Sequence, residues 1–362
     1  LTPEMWLERV KTIQQKDNMD YTNYYNGYNL LLKRGLNDII PEIYLCAGNR
    51  TAGKTFFFKR FFTLLFKEYG CKFLWISRKV TQVDGSVKSF YEDIQECEDI
   101  GYDWKIKRYV RNVRALCYKS EEIGYFTFIN FSADLKELSN MFNRVDIIIK
   151  DEFQEQHNEY MPDEVNKLRG AHDSVARGFK TSTRYCPLFL IGNQISIINP
   201  YYARFGIHKR LQSNTHFLRG NGWVLEVFFN KTSSDMRKAS AFDQAFGNDE
   251  FSQSSNENIF MDNISFIKKM DTSKMRPQFS VGYENSWYSV WHAGSFYYVS
   301  TQKINRGPKY ALDEKSHNSG TYLMRGSHPI IQDLKKYFDY GKFWFENIEA
   351  KTAVIELFIK SM

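Results

Sequence analysis

The stretch "CAGNRTAGKTFFFKRFF", Cys46 to Phe62, decides how the chain is read. A short apolar strand, "EIYLCA" (42–47), runs into Gly48-Asn49-Arg50-Thr51-Ala52-Gly53-Lys54-Thr55 and then directly into a phenylalanine-rich helix. A turn alone needs one or two glycines, not a lysine and a hydroxyl straight after the second. The spacing Gly-x-x-x-x-Gly-Lys-Thr between strand and helix lets backbone N–H groups wrap around phosphate oxygens, and the helix that starts at Lys54 adds its positive dipole end. In that arrangement Lys54 neutralises the outer phosphates and the Thr55 hydroxyl ligates Mg²⁺.

Working outward, "VDIIIKDEFQE" places Asp151 and Glu152 at the end of a second buried strand. Strand-end acids lie where open α/β sheets bind their ligands. Asp151 is expected to hold Mg²⁺ through water and Glu152 to orient and polarise the attacking water. A third strand, "PLFLIG" (187–192), runs into Asn193, whose amide is placed to contact the γ-phosphate or the water, or is a plain loop amide. No Asn-Lys-x-Asp guanine-reading motif occurs, so ATP is the expected nucleotide. Tyr24 and Tyr25, just upstream of the loop, are candidates for contacting adenine.

The rest of the pattern is α/β. Helices are expected at 4–16, 54–69, 85–97, about 133–142 and about 162–177, strands at 72–77, 145–149 and 223–229, and a hairpin over 104–131. Short apolar strands alternating with helices predict a mostly parallel sheet covered on both faces. Residues 232–265 are polar, with "SQSSNEN" at their centre, and read as a linker or loop. After them "FSVGYEN", "WYSVWH" and "SFYYVS" predict three strands, followed by a helix near 329–340, a strand near 343–347 and a helix near 350–360. The expected organisation is an ATPase domain over 1–231, the linker, and a second α/β domain over 266–362. No internal repeat is visible.

Composition narrows the function classes. With 43% hydrophobic and 17% aromatic residues the chain can bury a sizeable core, and its net charge of +7 mildly favours an acidic partner such as nucleic acid. Five scattered cysteines, without a CxxC pair or an HExxH motif, argue against a disulfide scaffold or zinc site. No secretory leader is expected, and the longest apolar run, Phe56 to Phe66, is broken by Lys59-Arg60 and too short to span a bilayer. Lys105, Lys107, Arg108, Arg111 and Arg114 on the expected hairpin offer positive charge for phosphate contacts, or a solvated face.

The phosphate loop with Arg50 at its third position, the "IIIKDE" strand and the "LFLIGN" strand together resemble the large terminase and DNA-packaging ATPase family of tailed bacteriophages, closest in size to the short packaging ATPases of small podovirus-like phages. The resemblance covers roughly residues 40–200. It implies a P-loop ATPase of the additional-strand, catalytic-glutamate type with an RNase H-like second domain. It further implies ATP and Mg²⁺ as cofactors, double-stranded DNA and the portal or prohead vertex as partners, a structural RNA on the prohead in the small-phage branch, a ring that is commonly pentameric, no membrane, and work in the host cytoplasm during virus assembly. A ring motor needs an arginine reaching the neighbour's γ-phosphate. Arg177 is preferred, Arg169 is the other candidate, and Arg50 is suited to the same role within its own subunit. In true terminases the second domain is a two-metal nuclease, which needs several convergent carboxylates. Here only Glu284 and Glu346 stand at strand ends, so the domain is expected to be a vestigial nuclease. It would bind nucleic acid or capsid through bases and aromatics, with Trp287, Trp291 and Tyr297 either in its core or on a contact face. The rival readings are a complete terminase with a working nuclease, a cellular P-loop translocase or helicase, and a binding module with an inert loop.

Overall fold

The computed structural model describes residues 1–110, 112–130, 143–155, 160–177, 183–212, 214–239, 267–326 and 328–361. Helix α1 (Pro3–Lys16) is capped by Thr2, and a single turn α2 (Tyr28–Leu31) precedes strand β1 (Ile43–Gly48). Helix α3 (Lys54–Tyr69) follows, then β2 (Phe73–Ser77) and α4 (Val83–Gln95). Strands β3 (Trp104–Val110), β4 (Val113–Tyr118) and β5 (Glu121–Phe128) form a meander. Next come β6 (Ile147–Asp151), α5 (Glu164–Val175), β7 (Leu188–Asn193), α6 (Pro200–Phe205), β8 (Phe217–Gly220), β9 (Trp223–Phe228) and α7 (Lys231–Lys238).

These strands make one nine-stranded sheet in the order β3-β4-β5-β2-β6-β7-β1-β9-β8. Its centre, from β5 to β9, is parallel, and an antiparallel flap closes each edge. Strand β7 lies between β1 and β6, which is the additional strand expected of this ATPase type. Where the sequence pattern predicts a hairpin over 104–131, three strands form. The third, β5, has its middle residues buried and joins β2 in parallel, because a strand with both faces apolar belongs inside a covered sheet. The helix expected near 133–142 lies outside the described residues.

One face of the sheet is covered by α1, α3 and α4 and the other by α5 and α6. The phenylalanines of α3 explain themselves here. Phe57 and Phe61, one turn apart, meet Tyr28 and Trp6, while Phe58 and Phe62 meet Phe189 of the sheet. Lys59 and Arg60 interrupt the apolar run but are also buried, Lys59 on Ser89 and Asp93 and Arg60 on Asp17 and Asp99. Gly70 ends the helix in the left-handed conformation.

The second sheet contains β10 (Arg276–Tyr283), β11 (Ser286–Ala293), β12 (Phe296–Ser300), β13 (Lys309–Ala311), β14 (Tyr322–Leu323) and β15 (Phe343–Phe345), ordered β14-β13-β10-β11-β12-β15. Only β11 runs against the others. Helices α8 (Pro329–Asp339) and α9 (Ile348–Lys360) pack on one face. This is an RNase H-like sheet, with two short strands, β13 and β14, that the sequence pattern does not predict. The expected polar linker begins within helix α7, and its residues 240–265 lie outside the described residues.

The two sheets share a boundary. Ile197 and Ile198, just beyond β7, belong to the apolar core of the second sheet. Ser196 Oγ donates to Asp339 Oδ1 at 2.9 Å, and Glu356 pairs with Lys209 at 2.8 Å and His208 at 3.3 Å.

Candidate nucleotide site at the carboxyl edge of the large sheet

The loop between β1 and α3 is held by its neighbours. Asn49 exchanges hydrogen bonds with the backbone of Asn230, its amide donating to the carbonyl at 3.1 Å and its oxygen accepting from the N–H at 2.9 Å. Asn230 in turn donates to Asn23 O, and Tyr25 N–H donates to Ala52 O. Two loop positions need unusual backbone: Gly53, which begins α3 at φ +83°, and Thr51 at φ +61°. Gly48 is required by space, since a Cβ there would stand 2.2 Å from Phe228 O. No side chain caps α3, so its first N–H groups face the loop.

Lys54 points back into this loop. Its Nζ donates to Asn49 O at 2.6 Å and faces Asn193 Oδ1 at 3.4 Å. Burial pulls its pKa down to about 8, opposed by Cys46 and Asp151. Asn193 arrives because β7 pairs with β1 in register Gly48↔Asn193, and Asp151 because β6 pairs with β7 in register Asp151↔Ile191. Desolvation, then the neighbouring Glu152, pushes the Asp151 carboxyl up to about 6, and Asp151 Oδ1 accepts the Glu152 N–H at 3.0 Å. Thr55, Asp151 and Glu152 line a common cavity of about 340 Å³ with Lys59, Ser77 and Arg78. The donor set fits a nucleotide triphosphate with a hard divalent cation: the uncapped N–H groups of α3, the Lys54 ammonium, the Thr55 hydroxyl and the carboxylates of Asp151 and Glu152.

The remaining sequence candidates separate. Arg50 is half-buried in the loop, and its carbonyl accepts the Thr51 hydroxyl. Tyr25 cannot stack on adenine: it is fully buried against Phe57, Phe58 and Phe228, with its hydroxyl on Glu226, whereas Tyr24 is half exposed beside Gly53. Arg177 is exposed just beyond the end of α5. It is bridged to Thr183, and its neighbour Ala176 accepts the Arg184 N–H there, at the opposite edge of the sheet from Lys54. Arg169 is exposed and pairs loosely with Asp173 at 3.9 Å. Within one chain neither reaches the loop. Lys105, Lys107 and Arg108 are exposed on the edge strand β3, Arg114 pairs with Asp84, and Arg111 lies outside the described residues.

In the second sheet Glu284 and Glu346 are not the only acids beyond strand ends. Glu284 and Glu346 stand on the same edge but three strands apart, and Glu346 is level with Ser280, four residues short of Glu284. That is roughly 14 Å across and about 13 Å along the sheet, too far to share metals. The acid that does neighbour Glu284 is Asp313, which follows β13, a strand the sequence pattern does not predict. Asp313 Oδ2 accepts the Glu284 N–H at 2.8 Å and Oδ1 accepts the Ser316 N–H at 2.8 Å. Glu346 is likewise engaged, by the N–H and hydroxyl of Thr301. Among the described residues no cluster of three His, Cys, Asp or Glu side chains is placed to hold a metal. Trp291 is buried, its indole donating to Ser300, and Trp287 and Tyr297 are partly buried.

Sequence reasoning missed Arg78, Glu164 and Gln154, all buried beside the site. Arg78 had a signal, since it directly follows the apolar strand "FLWIS" at the same edge as Asp151.

A P-loop ATPase with an additional strand, strand-end carboxylates and an RNase H-like second sheet is the class that the fold and site define. The chain belongs to the Podovirus DNA encapsidation protein (Gp16) family, whose sequence model matches residues 19–362. It is 26% identical over 324 residues to the DNA packaging protein of Bacillus phage B103, covering 86% of this chain and 95% of that one. Its fold matches a chain of the bacteriophage phi29 genome packaging motor assembly at 21% identity with TM-score 0.51, covering 94% of this chain and all of that one. It is also similar to the N-terminal domain of the phi29 DNA packaging ATPase, at 22% identity, 57% coverage of this chain, 96% of that one and TM-score 0.44.

Proposed function

We propose that this protein hydrolyses ATP with Mg²⁺ to drive double-stranded DNA into a preformed capsid. The observation that carries the reading is the meeting of Lys54, Asn193 and Asp151 at one sheet edge, with Thr55 and Glu152 on the adjoining cavity. The loop from Gly48 to Thr55 would hold the phosphates, and Thr55 with Asp151 would hold the cation. Glu152 would take up the proton of the attacking water, and Asn193 would sense the phosphate end. Family membership supports the reading, as does the relative described as a DNA packaging protein. The test is ATP turnover with and without double-stranded DNA and empty capsids. Stimulation by both is expected, and turnover indifferent to either would sink the motor reading.

The finer assignments are proposals of the same kind. The ATPase domain would span 1–231 and the second domain 266–362, joined through 232–265. The working form would be a ring, a pentamer by resemblance, docked on the portal in the host cytoplasm, with a prohead RNA as a further partner. The exposed position of Arg177, remote from its own Lys54, suits an arginine offered to a neighbouring subunit. Mixing Arg177→Ala with Glu152→Gln subunits should then restore some hydrolysis. No recovery in rings shown to be mixed would exclude that role. The second domain is proposed to lack nuclease activity, because both oxygens of Asp313 already accept backbone N–H groups and Glu346 is remote.

A further inference from the structure

Arg78 stands directly after β2, which pairs with β6 in register Ile76↔Lys150. Two residues further along, the register sets Arg78 level with Glu152. Arg78 is 1% exposed, and all three guanidinium nitrogens are engaged. Nη2 donates to Glu152 O at 2.9 Å and to Phe153 O at 3.2 Å. Nε and Nη2 donate to the two oxygens of Glu164 at 2.9 and 3.2 Å, and Nη1 donates to Glu155 at 2.8 Å. The Tyr160 ring lies 5.2 Å from the guanidinium carbon, and Tyr201 donates its hydroxyl to Glu164 at 2.7 Å.

What this fork grips is unusual backbone. Glu152 has φ +51°, a left-handed conformation that a glutamate adopts only when its surroundings impose it. Its carbonyl and the next one both turn toward Arg78. The N–H of Phe153 is held by Ile191 O at 3.2 Å and that of Glu152 by Asp151 Oδ1 at 3.0 Å, which leaves Arg78 to fix the two carbonyls and so the direction of the Glu152 side chain. A planar guanidinium with donors in fixed directions can hold two carbonyls and a carboxylate at once, which a lysine ammonium on its flexible stem cannot do in the same geometry. Direct phosphate binding is a poor alternative, since Arg78 is buried and its donors are committed to protein oxygens.

We infer that Arg78 is a positioning residue for hydrolysis: it clamps the backbone of Glu152 and thereby aims the carboxylate that activates water. This rests on the proposed role of Glu152. A misplacement of about 1 Å at such a group costs on the order of 100-fold in rate. Arg78 lines the same cavity as Thr55, but its donors go to Glu152, Phe153, Glu155 and Glu164 and not to the phosphate loop, so the effect should fall on turnover more than on binding.

The test uses the full chain in ATP turnover, with binding of a fluorescent ATP analogue and thermal melting measured alongside. Arg78→Lys keeps the charge that faces Glu164 and is expected to lower kcat by about 10- to 100-fold while KM and analogue affinity stay within about twofold. A purely structural role would instead move affinity and melting together with turnover, and that result overturns the inference, as does wild-type kcat in Arg78→Lys. If Arg78→Lys does not fold, the pair Arg78→Gln with Glu164→Gln removes both partners of that ion pair together, leaving Lys150 as the remaining buried charge beside it, and must show the same split. Glu152→Gln is run in parallel. Its inactivity alongside a fully active Arg78→Lys rejects the clamp and leaves the catalytic reading intact. Full activity of Glu152→Gln rejects the catalytic reading, and the inference with it.

Discussion

The two sheets each present acids at their carboxyl edges, and their surroundings set them apart. At the large sheet, Asp151 and Glu152 project beside Thr55 into a cavity, and a buried ammonium, Lys54, lies close enough to interact with Asp151. At the second sheet, Asp313 closes on the backbone of Glu284 and Ser316, and Glu346 closes on Thr301. A carboxylate whose oxygens already accept protein N–H groups is satisfied and holds the local turn. Asp151 also accepts one backbone N–H, that of Glu152, but it shares a cavity with Glu152 and the Thr55 hydroxyl and lies within reach of the Lys54 ammonium, so it is available to a cation and to water. Strand-end acids are therefore a weak signal alone. What faces them makes the difference.

The largest effect that would break this contrast is expected at Lys54. Lys54→Ala should lower ATP turnover by about 100- to 1,000-fold and weaken nucleotide binding, since it removes the fixed positive charge at the phosphates. Turnover near the wild-type rate would move the chemistry elsewhere. Glu152→Gln should cost about 100-fold or more in turnover while nucleotide binding persists, as expected for the group that accepts the proton. Equal loss of binding and turnover would make Glu152 part of the binding set instead.

Gly48→Ala sharpens the comparison on the stability side. The added methyl meets the carbonyl of Phe228, so β1 and β9 must separate. A loss of about 1–3 kcal/mol, read as a lower melting temperature, is expected, and an unchanged melt would mean that the loop is less tightly packed than its geometry indicates. The smallest effect belongs to the second sheet. Asp313→Ala should cost about 1 kcal/mol of stability through two lost hydrogen bonds and leave ATP turnover within about twofold. Incubated with plasmid and Mn²⁺, the wild-type protein should leave the DNA intact. Metal-dependent cutting that Asp313→Ala or Glu284→Ala abolishes would erase the distinction between the two edges.

The phosphate loop was legible in the sequence because every one of its requirements is local: glycines where the backbone turns, lysine and threonine at the start of the helix, an apolar strand before it. Asp151, Glu152 and Asn193 were legible because buried parallel strands are continuous apolar runs, and their ends mark a sheet edge. The β10–β12 meander was legible from its alternation and tight turns.

Pairing in three dimensions decided the rest. The order that sets β7 between β1 and β6 brings Asn193 against Lys54, and no local pattern encodes which strands become neighbours. Tyr24 and Tyr25 are adjacent in sequence, yet one is half exposed beside Gly53 and the other is core, because Phe57, Phe58 and Phe228 close around Tyr25 and Glu226 accepts its hydroxyl. Lys59 and Arg60 look like breaks in an apolar helix until Asp93, Asp17 and Asp99 arrive from other elements to pair with them. Strand β13 is too short to show a period, so Asp313 stayed hidden until β10 gave it a partner. Arg78 lies far from Glu152 along the chain and touches it only because β2 and β6 share a register. Local chemistry is written in consecutive residues. Burial, ion pairing and the aiming of a side chain depend on which distant residues the sheet sets side by side.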